Sequence, residues 1–416
     1  MSAGWSALFW GIITLSFLVL VHEGGHFFAA RAFGVRVREF MIGLPGPKLS
    51  WKRKGTLYGV TAIPLGGYVK VVGMEGDQHS PLVSPVLSYI TAKRSVTLKD
   101  LAAHFNSDEG KLYAVLIALK DLEAITENED GTFHAVFPLE DAEDPDKLIK
   151  TARSNSYLTI PTWKRIVILL SGVVCNLAVA ILVFTIILTG WGALQDLGHI
   201  NPVPDAPAIE AGIPEGAQIT SINGVAVSSY FELVDQIQSH NIGDEVALTY
   251  VVDDIESSAH VTLAKNPESD APFLGVSPHF VKVKLPVGEA FVASFERLWL
   301  TVKGIVGFFN PTNFTESVNN SASVIGIAVI AAEVVKVDPV EYIGLVAMIS
   351  LSLGLMNLLP IPPLDGGKIV IELVEKIRRK PLSMNTSVAI SAIGFLLLFS
   401  LMAYLIYVDF GRFILG

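Results

Sequence analysis

Long apolar runs alternate with polar stretches along this chain. Four runs are apolar enough, over enough residues, to cross a hydrocarbon core, which needs roughly 20 helical residues. They cover about 5–30, 165–190, 341–360 and 385–408, and each predicts a transmembrane helix. The first run has no basic residues before it and continues into polar positions, so we expect it to be retained rather than removed as a signal peptide.

The segments between these runs have their own patterns. Residues 55–73 alternate apolar and small side chains around Pro64, which predicts a membrane-associated β-hairpin. Residues 83–140 are polar, with apolar positions at helical spacing in two stretches, then a turn and a short alternating run. Helix, turn, helix and hairpin in this order resemble a winged helix. Its lysines are offset by acidic neighbours, so nucleic-acid binding is disfavoured, and a protein contact or a structural role is favoured.

The stretch between the second and third runs predicts a separate domain. Residues 198–282 contain Ser-Ile-Asn-Gly at 221–224 between predicted strands and a helix near Tyr230–Gln238, and this pattern looks like a PDZ domain. PDZ domains bind extended peptides or C-termini by strand addition. A small β-rich domain that only blocks access sterically is the alternative. Residues 285–335 mix aromatic and polar side chains, which predicts an amphipathic segment at the membrane interface.

Composition agrees with a membrane protein. Hydrophobic residues make up 51% of the 416 residues and charged residues 17%, and the mean hydropathy is +0.51. A net charge of -10 disfavours a nucleic-acid partner, because phosphate contacts need clustered Lys and Arg. The single cysteine, Cys175, excludes an internal disulfide.

The distribution of Lys and Arg predicts the orientation of the spans. Basic residues follow the first run, precede the second and separate the third from the fourth, whereas 191–264 contains none. The flanks rich in Lys and Arg should therefore be cytoplasmic and the PDZ-like domain exported. Both termini are then expected to be extracytoplasmic, and the 83–140 insertion cytoplasmic.

The first run carries three ionisable side chains, His22, Glu23 and His26. Such residues cost about 2.5–3.5 kcal/mol each at the centre of a span, so they are rarely accidental. Two histidines at i and i+4 lie on one helix face and can bind one Zn²⁺, and the Glu between them can accept a proton from water. Gly24 and Gly25 each cost roughly 1 kcal/mol in a helix, so we expect close backbone approach there by a neighbouring helix or a substrate.

Two histidines leave a zinc ion short of a third protein ligand. The other histidines, of nine in all, fall in water-facing regions of this topology, so the search turns to carboxylates. Asp365 follows the third run in a segment with three prolines, and irregular backbone at membrane depth must be buried in protein or line a water-filled cavity. Spans one and three both run inward, which places Asp365 on the same side as His22 and His26. An Asp at a solvated helix end is the alternative.

Together the motifs resemble one family. His-Glu-Gly-Gly-His at 22–26, Pro-Leu-Gly-Gly-Tyr-Val-Lys at 64–70 and Asn-Leu-Leu-Pro-Ile-Pro-Pro-Leu-Asp-Gly at 357–366, with a PDZ-like domain between spans two and three, look like the bacterial site-2 proteases, the regulator of sigma-E protease family. The resemblance covers nearly the whole chain outside 74–160. It implies an intramembrane zinc metalloprotease of the bacterial plasma (inner) membrane. Its partners would be single-span membrane proteins, such as anti-sigma factors or remnant signal peptides, cut in regulated intramembrane proteolysis.

The resemblance also implies roles for individual residues. Asp365 would be the third zinc ligand, Asn357 would help to hold the substrate strand, and the 55–73 hairpin, with Gly66, Gly67 and Tyr68, would present an edge to it. The family's Gly-Pro-x-x-Asn pattern in span two is matched at 172–176 without the proline, so Asn176 is a further candidate near the active site. The insertion lies outside the family's common core, so the resemblance implies nothing about its role.

Two rival functions come from other classes. A membrane-bound scaffold would use the PDZ-like and winged-helix-like modules to recruit partners beside a vestigial metal site, but the intact Glu23 disfavours it. A metal-ion transporter would also carry intramembrane His and Asp. No second set of polar residues marks an ion path, and a transporter leaves the PDZ-like domain without a purpose.

The predicted architecture is an α-helical integral membrane protein with six parts. They are 1–73, the first span with the His-Glu-x-x-His motif and the membrane-associated hairpin; 83–140, the cytoplasmic winged-helix-like insertion; 160–192, the second span; 198–282, the extracytoplasmic PDZ-like α/β domain; 285–335, the interfacial amphipathic segment; and 338–416, the third and fourth spans with the Leu-Asp-Gly motif.

Overall fold

The computed structural model describes residues 3–76, 78–139, 141, 144–267, 269–308, 310, 312, 317 and 321–412. The chain divides into two compact units. One is Met1–Val183 together with Phe295–Gly416, and the other is Phe184–Ser294.

The chain begins with a long helix followed by a four-stranded sheet. The helix is α1 (Ala3–Ala32), and the strands are β1 (Val37–Ile42), β2 (Lys48–Arg53), β3 (Thr56–Thr61) and β4 (Gly67–Val71). Their order in the sheet is β2-β3-β1-β4, with β1 parallel to β3 and antiparallel to β4.

This sheet corrects the predicted hairpin over 55–73. Both of its strands are present as β3 and β4, but they do not pair with each other because β1 lies between them. The true hairpin is formed by β2 and β3. Alternation of apolar and polar side chains reports which face of a strand is buried and does not identify the strand's partner, which is why the sequence pattern misassigned the pairing.

A compact insertion follows the sheet. Its elements are α2 (Val83–Lys93), α3 (Leu98–Phe105), α4 (Glu109–Asp121), β5 (Ile125–Glu127), β6 (Phe133–Ala135) and α5 (Pro145–Ala152), and β5 and β6 form an antiparallel pair. A capping box between Thr97 and Asp100 fixes the start of α3. Leu148 and Ala152 of α5 are buried in the same apolar core as α2 and α4, so the insertion extends past the predicted boundary at 140.

Buried Asp121, at the end of α4, joins the insertion to the loop that follows the four-stranded sheet. Its Oδ2 accepts hydrogen bonds from the main-chain N–H groups of Gly73, at 2.7 Å, and Glu75, at 3.0 Å, in the loop that follows β4. Burial raises the pKa of this carboxyl to about 6, and the two hydrogen bonds oppose that rise. The buried carboxyl of Asp121, whose ionisation is disfavoured by burial, therefore holds the loop after β4 against the insertion.

Two arginines, Arg36 just before β1 and Arg38 within it, reinforce this junction. Arg36 donates to Glu123 at 2.9 Å and to the carbonyl of Ala152 at 3.0 Å, and Arg38 donates to the carbonyl of Lys120 at 2.8 Å. Cations at the C-terminus of a helix satisfy carbonyls that have no partner within the helix. Arg38 thus caps the end of α4, and Arg36 caps the end of α5.

A long helix, α6 (Thr162–Gly190), leads into the second unit, which begins at Phe184 within the helix. The unit contains β7 (Ala193–Gln195), β8 (His199–Pro202), α7 (Pro207–Glu210), β9 (Ala217–Ile222), β10 (Val225–Ala226), α8 (Tyr230–Gln238), β11 (Glu245–Val252), β12 (Ile255–Thr262), β13 (Ala264–Lys265), β14 (Pro272–Phe273), β15 (Val276–Pro278) and β16 (Val281–Val283). Its main sheet has the order β12-β11-β9-β8-β15, with β10 paired to β9. Helix α8 has the bounds that the sequence predicted, since Ser229 caps its first turn.

The remaining helices are α9 (Val287–Phe308), α10 (Val324–Val337), α11 (Pro339–Asn357), α12 (Asp365–Arg378) and α13 (Met384–Phe410). The described part of 285–335 thus forms two helices, where the sequence predicted one amphipathic segment. Gly11 of α1 lies against Ala328, whose Cα would be 3.2 Å from an added Cβ, so α10 packs closely on α1.

Four helices of the described residues are long and apolar enough to cross a membrane. They are Gly4–Ala32, Thr162–Gly190, Pro339–Asn357 and Asn385–Phe410. These are the four runs that the sequence predicted as spans, because length and apolarity are local properties of a sequence.

Candidate metal centre

The two histidines of α1 point into the protein from one helix face. His22 and His26 are each 7% exposed, and their ring centroids are 4.8 Å apart. Residues four apart on a helix are neighbours on its surface, so the spacing read from the sequence places both imidazoles together.

Asp365 completes a triangle of ligand atoms. Its Oδ2 is 3.0 Å from Nε2 of His22 and 3.0 Å from Nε2 of His26, and the two Nε2 atoms are 3.2 Å apart. Atoms bound to one tetrahedral zinc ion at roughly 2.0–2.2 Å lie about 3.3 Å from each other. The three side chains, distant in sequence, therefore have the donor types and the spacing of a zinc site.

Hydrogen bonding around His26 also favours a cation at this position. Its Nδ1 lies 2.7 Å from the main-chain oxygen of Ile168, which can only accept, so Nδ1 carries the proton. In the neutral ring, Nε2 then presents a lone pair to the Asp365 carboxylate at 3.0 Å. Two lone pairs at this distance repel each other unless a metal ion or an added proton lies between them. The carbonyl of Ile168 thus orients His26 so that its Nε2 faces Asp365.

Two glycines allow α1 and α6 to cross beside the histidines. A Cβ on Gly25 would lie 2.8 Å from Cα of Gly172, and a Cβ on Gly172 would lie 2.6 Å from Nε2 of His26 and 2.9 Å from Nδ1 of His22. This bears out the predicted close approach at Gly25, and α6 is the neighbour. Gly24 instead faces open space, where an added Cβ would meet only Phe28 at 4.0 Å.

Substituting Gly172→Ala is expected to weaken zinc binding by about 10- to 100-fold, the range typical when a residue that orients a ligand is lost. The new methyl group would occupy the space beside His26 Nε2 and displace the ring. Competition with a chromophoric chelator measures the change. Gly190→Ala is the matched control on the same helix, because an added Cβ there meets nothing within 4 Å. Equal zinc affinity of Gly172→Ala and the unmodified chain would contradict this account.

Glu23 is held by the edge of the sheet. Its Oε2 accepts a hydrogen bond of 3.0 Å from the main-chain N–H of Val69 in β4. Val69 is opposite Phe40 of β1, and its N–H points away from β1, so Val69 and Phe40 form a non-hydrogen-bonded pair. In an antiparallel ladder such pairs alternate with hydrogen-bonded ones. The main-chain N–H and C=O groups of Gly67, Val69 and Val71 therefore point away from the sheet. The edge of β4 that pairs with no other strand therefore faces Glu23, the candidate general base.

Asp365 is the first residue of α12, where the chain turns back after α11. Cβ atoms on Gly366 and Gly367 would collide with the preceding loop, for example with the carbonyl oxygen of Leu359 at 2.5 Å and with Pro362 Cδ at 2.6 Å. Both glycines are helical, so they serve close packing rather than unusual backbone angles. Lys368 lies 3.3 Å from the other carboxylate oxygen of Asp365.

The metal centre opens into a cavity of about 410 Å³. The predicted residues Tyr68 and Asn357 line it, and the Asn357 amide also donates to the carbonyl of Leu353 at 2.9 Å. The other lining residues are Val19, His22, Glu23, His26, Val69, Val71, Met74, Ile168, Leu169, Leu353, Pro363, Leu364, Asp365 and Lys368.

Three of the predicted residues lie elsewhere. Gly66 has a φ of +78° in the turn before β4, and Gly67 lies against the carbonyl of Met41. Asn176 is fully buried in α6, its amide atoms have no hydrogen-bond partner among the described residues, and an added Cβ on Gly354 of α11 would be 3.3 Å from it. It is not a lining residue of the cavity.

Sequence reasoning did not identify the main-chain N–H of Val69, the carbonyl of Ile168 or the Lys368 ammonium as parts of the site. Main-chain groups have no residue-type signature, so no sequence signal could have found the first two. Lys368 could have been found from its place three residues after Asp365, one helical turn along.

Comparison with known proteins gives consistent matches along the chain. The family model of peptidase family M50 matches residues 10–401. "Probable protease eep" of Enterococcus faecalis is 30% identical over 449 aligned residues, covering 97% of this chain and 98% of that protein. "Zinc metalloprotease RasP" of Shouchella clausii is 28% identical over 422 residues, covering 96% and 98%. Among solved structures, the PDZ domain of the SdrC-like protein of Listeria monocytogenes is 28% identical over 21% of this chain and 90% of its own length, with a TM-score of 0.19.

Proposed function

Because this chain belongs to peptidase family M50 and is a zinc metalloprotease, we propose that it hydrolyses peptide bonds within transmembrane segments of other membrane proteins. The substrate class is single-span proteins, such as anti-sigma factors or remnant signal peptides, in regulated intramembrane proteolysis. One observation carries the proposal. His22 and His26, in a helix apolar enough to span a membrane, lie 3.0 Å from Asp365.

His22, His26 and Asp365 are the proposed zinc ligands. A bound zinc ion supplies a Lewis acid that polarises a carbonyl oxygen and lowers the pKa of water towards about 7. Glu23 has no role as a ligand in this scheme. Its carboxylate takes a proton from the attacking water and then delivers it to the nitrogen of the leaving amine. In this proposal Asn357, which lines the cavity, helps to hold the substrate main chain.

The free edge of β4 is the proposed docking site for the substrate strand. A helical substrate hides its carbonyls in its own hydrogen bonds, so it must unwind, and strand addition satisfies the freed groups. The outward N–H of Val69 is needed for this pairing, but it donates to Glu23 Oε2. Substrate pairing at this position therefore releases Glu23 Oε2 to accept a proton from water.

Water reaches the site through a second cavity, lined in part by charged side chains, in this proposal. That cavity has a volume of about 250 Å³ and shares Met74, Leu169 and Lys368 with the wall of the metal cavity. Its charged side chains, Arg165, Glu372 and Glu375, keep it hydrated.

The proposed setting is the bacterial plasma membrane, with both termini extracytoplasmic. The basic flanks of the spans support this orientation. In this topology residues 198–282 form an exported PDZ-like domain that binds a peptide or C-terminus or excludes substrates, and the insertion is a cytoplasmic winged-helix-like module. The contacts of Asp121 with the loop after β4 support a positioning role for the insertion rather than nucleic-acid binding.

A reconstituted cleavage assay tests the proposal. The purified full chain, in liposomes with a single-span test protein, is expected to cut inside the apolar segment, and mass spectrometry of the products locates the bond. Replacing two central residues of the substrate span by Gly is expected to speed cleavage severalfold, because each Gly weakens a helix by roughly 1 kcal/mol.

A substrate with Ala at the same two positions is the matched control, since Ala favours the helix. Products cut only in the soluble tails of the test protein would contradict intramembrane cleavage. Equal rates for the Gly and Ala substrates would contradict the unwinding step.

A further inference from the structure

Three cations lie at the turn between β2 and β3, and a fourth, Arg31, contacts this turn from the end of α1. Arg31 lies in the last turn of α1, and its Nη1 donates to the carbonyl of Lys54 at 3.4 Å. Lys52, Arg53 and Lys54 follow one another in the chain, and all four side chains are exposed. Among the described residues no carboxylate lies within 4.0 Å of their charged groups. The cluster therefore carries a concentrated positive charge without an internal counterion.

Two aromatic rings form a shallow cavity beside these cations. Trp51 stacks on Tyr58 with a centroid separation of 6.1 Å and an interplanar angle of 23°. Trp51, Tyr58, Arg53 and Lys54 line an open cavity of about 290 Å³. A cavity lined by both aromatic rings and cationic side chains is suited to a compact anion attached to an apolar group.

The same strand also exposes apolar surface. Leu49 is 84% exposed and Trp51 is 60% exposed. They are two positions apart in β2, so both side chains lie on one face of the sheet. Phe28, one turn before Arg31 on α1, is 71% exposed. Exposed Trp and apolar side chains beside Lys and Arg are typical of the boundary between acyl chains and headgroups.

We propose that this hairpin is a binding site for the headgroup of an anionic phospholipid. The phosphodiester binds to Arg53 and Lys54 over the Trp51 ring, Arg31 and Lys52 add attraction, and the acyl chains run along Leu49 and Phe28. Charge complementarity supports a lipid as the occupant, and so does the position of the cluster where the apolar run of α1 ends at Ala32. Nucleic acid is a poor alternative for a chain with a net charge of -10.

The site would anchor the sheet at the edge opposite the catalytic one. In the order β2-β3-β1-β4, the lipid binds at β2 and Glu23 binds at β4. Holding β2 at the membrane surface therefore fixes the depth at which β4 meets a substrate. This inference about lipid binding does not depend on the proposed proteolytic function, since binding can be measured without turnover.

Lipid binding to the full chain in neutral detergent can be measured by native mass spectrometry, with dioleoyl phosphatidylglycerol and dioleoyl phosphatidylcholine as probes. Phosphatidylglycerol should bind more tightly to the unmodified chain. The double substitution Arg53→Gln and Lys54→Gln is expected to weaken its binding about 25-fold, the change that corresponds to removing two interfacial cations. The double substitution Arg53→Lys and Lys54→Arg keeps the charge and should keep the affinity.

Lys93→Gln with Lys99→Gln is the matched control, because it removes two exposed cations from the insertion. It should leave phosphatidylglycerol binding unchanged. The proposal is overturned if Arg53→Gln with Lys54→Gln binds this lipid as tightly as the unmodified chain, or if the two lipids bind equally. Displacement of the lipid by millimolar glycerol 3-phosphate would identify a site for free phosphate instead.

Discussion

Replacing Glu23 by Gln is expected to leave zinc bound and to lower the rate of peptide-bond hydrolysis by at least about 10²- to 10⁴-fold, the usual contribution of a positioned general base. Gln has nearly the shape of Glu, and its amide oxygen can still accept the N–H of Val69, which is 3.0 Å from Glu23 Oε2. It cannot take a proton from water. The rate of cleavage of a single-span substrate and the zinc content by elemental analysis measure the two effects.

Glu341→Gln provides the control for this substitution. Glu341 is an exposed carboxylate in the first turn of α11, another helix long enough to span a membrane, so its loss should change neither activity nor zinc content. Undiminished turnover by Glu23→Gln would remove Glu23 from the role of base. Loss of zinc together with activity would show instead that Glu23 supports the metal centre.

Replacing Asp365 by Asn is expected to lower both zinc affinity and activity. Asp365 Oδ2 lies 3.0 Å from the Nε2 atoms of both histidines. A neutral amide is a much weaker ligand for a divalent cation than a carboxylate. We expect the affinity to fall by more than the roughly 10- to 100-fold that follows loss of a residue that only orients a ligand. Zinc stoichiometry after dialysis against limiting chelator measures this loss.

Glu372→Gln is the control on the same helix. Glu372 is seven residues after Asp365 in α12 and pairs with Arg165 at 3.4 Å, away from the ligand atoms. Its substitution should keep one zinc ion per chain. Full zinc binding by Asp365→Asn would move the third ligand to another residue. The two predictions are distinguishable, because Glu23→Gln separates activity from metal binding and Asp365→Asn does not.

Part of the candidate site, the side chains of His22, His26 and Asp365, could be predicted from the sequence. The spacing of His22 and His26 places them on one helix face, and charge counting placed Asp365 at the same side of the membrane. The structure brings these three side chains together. It also places Gly25 against α6, as the cost of Gly in a helix led us to expect.

The hydrogen-bond partners of Glu23 and His26 could not be predicted from the sequence. Glu23 is held by a main-chain N–H and His26 by a main-chain carbonyl, and every residue except Pro carries both groups. The strand order β2-β3-β1-β4 could not be predicted either, because the alternation of apolar and polar side chains in a strand is the same whichever strand pairs with it.

The sequence by itself determined the four long apolar helices, the extent of α8 and the position of His22 and His26 on one helix face. These features depend on hydrophobic length, helical period and capping, which act between residues close in the chain. The tertiary structure alone decided that β1 separates β3 from β4, that Val69 holds Glu23, that Ile168 orients His26 and that Gly172 leaves room for both imidazoles. Those contacts join residues far apart in sequence, and they depend on the packing of helices and strands rather than on local residue type.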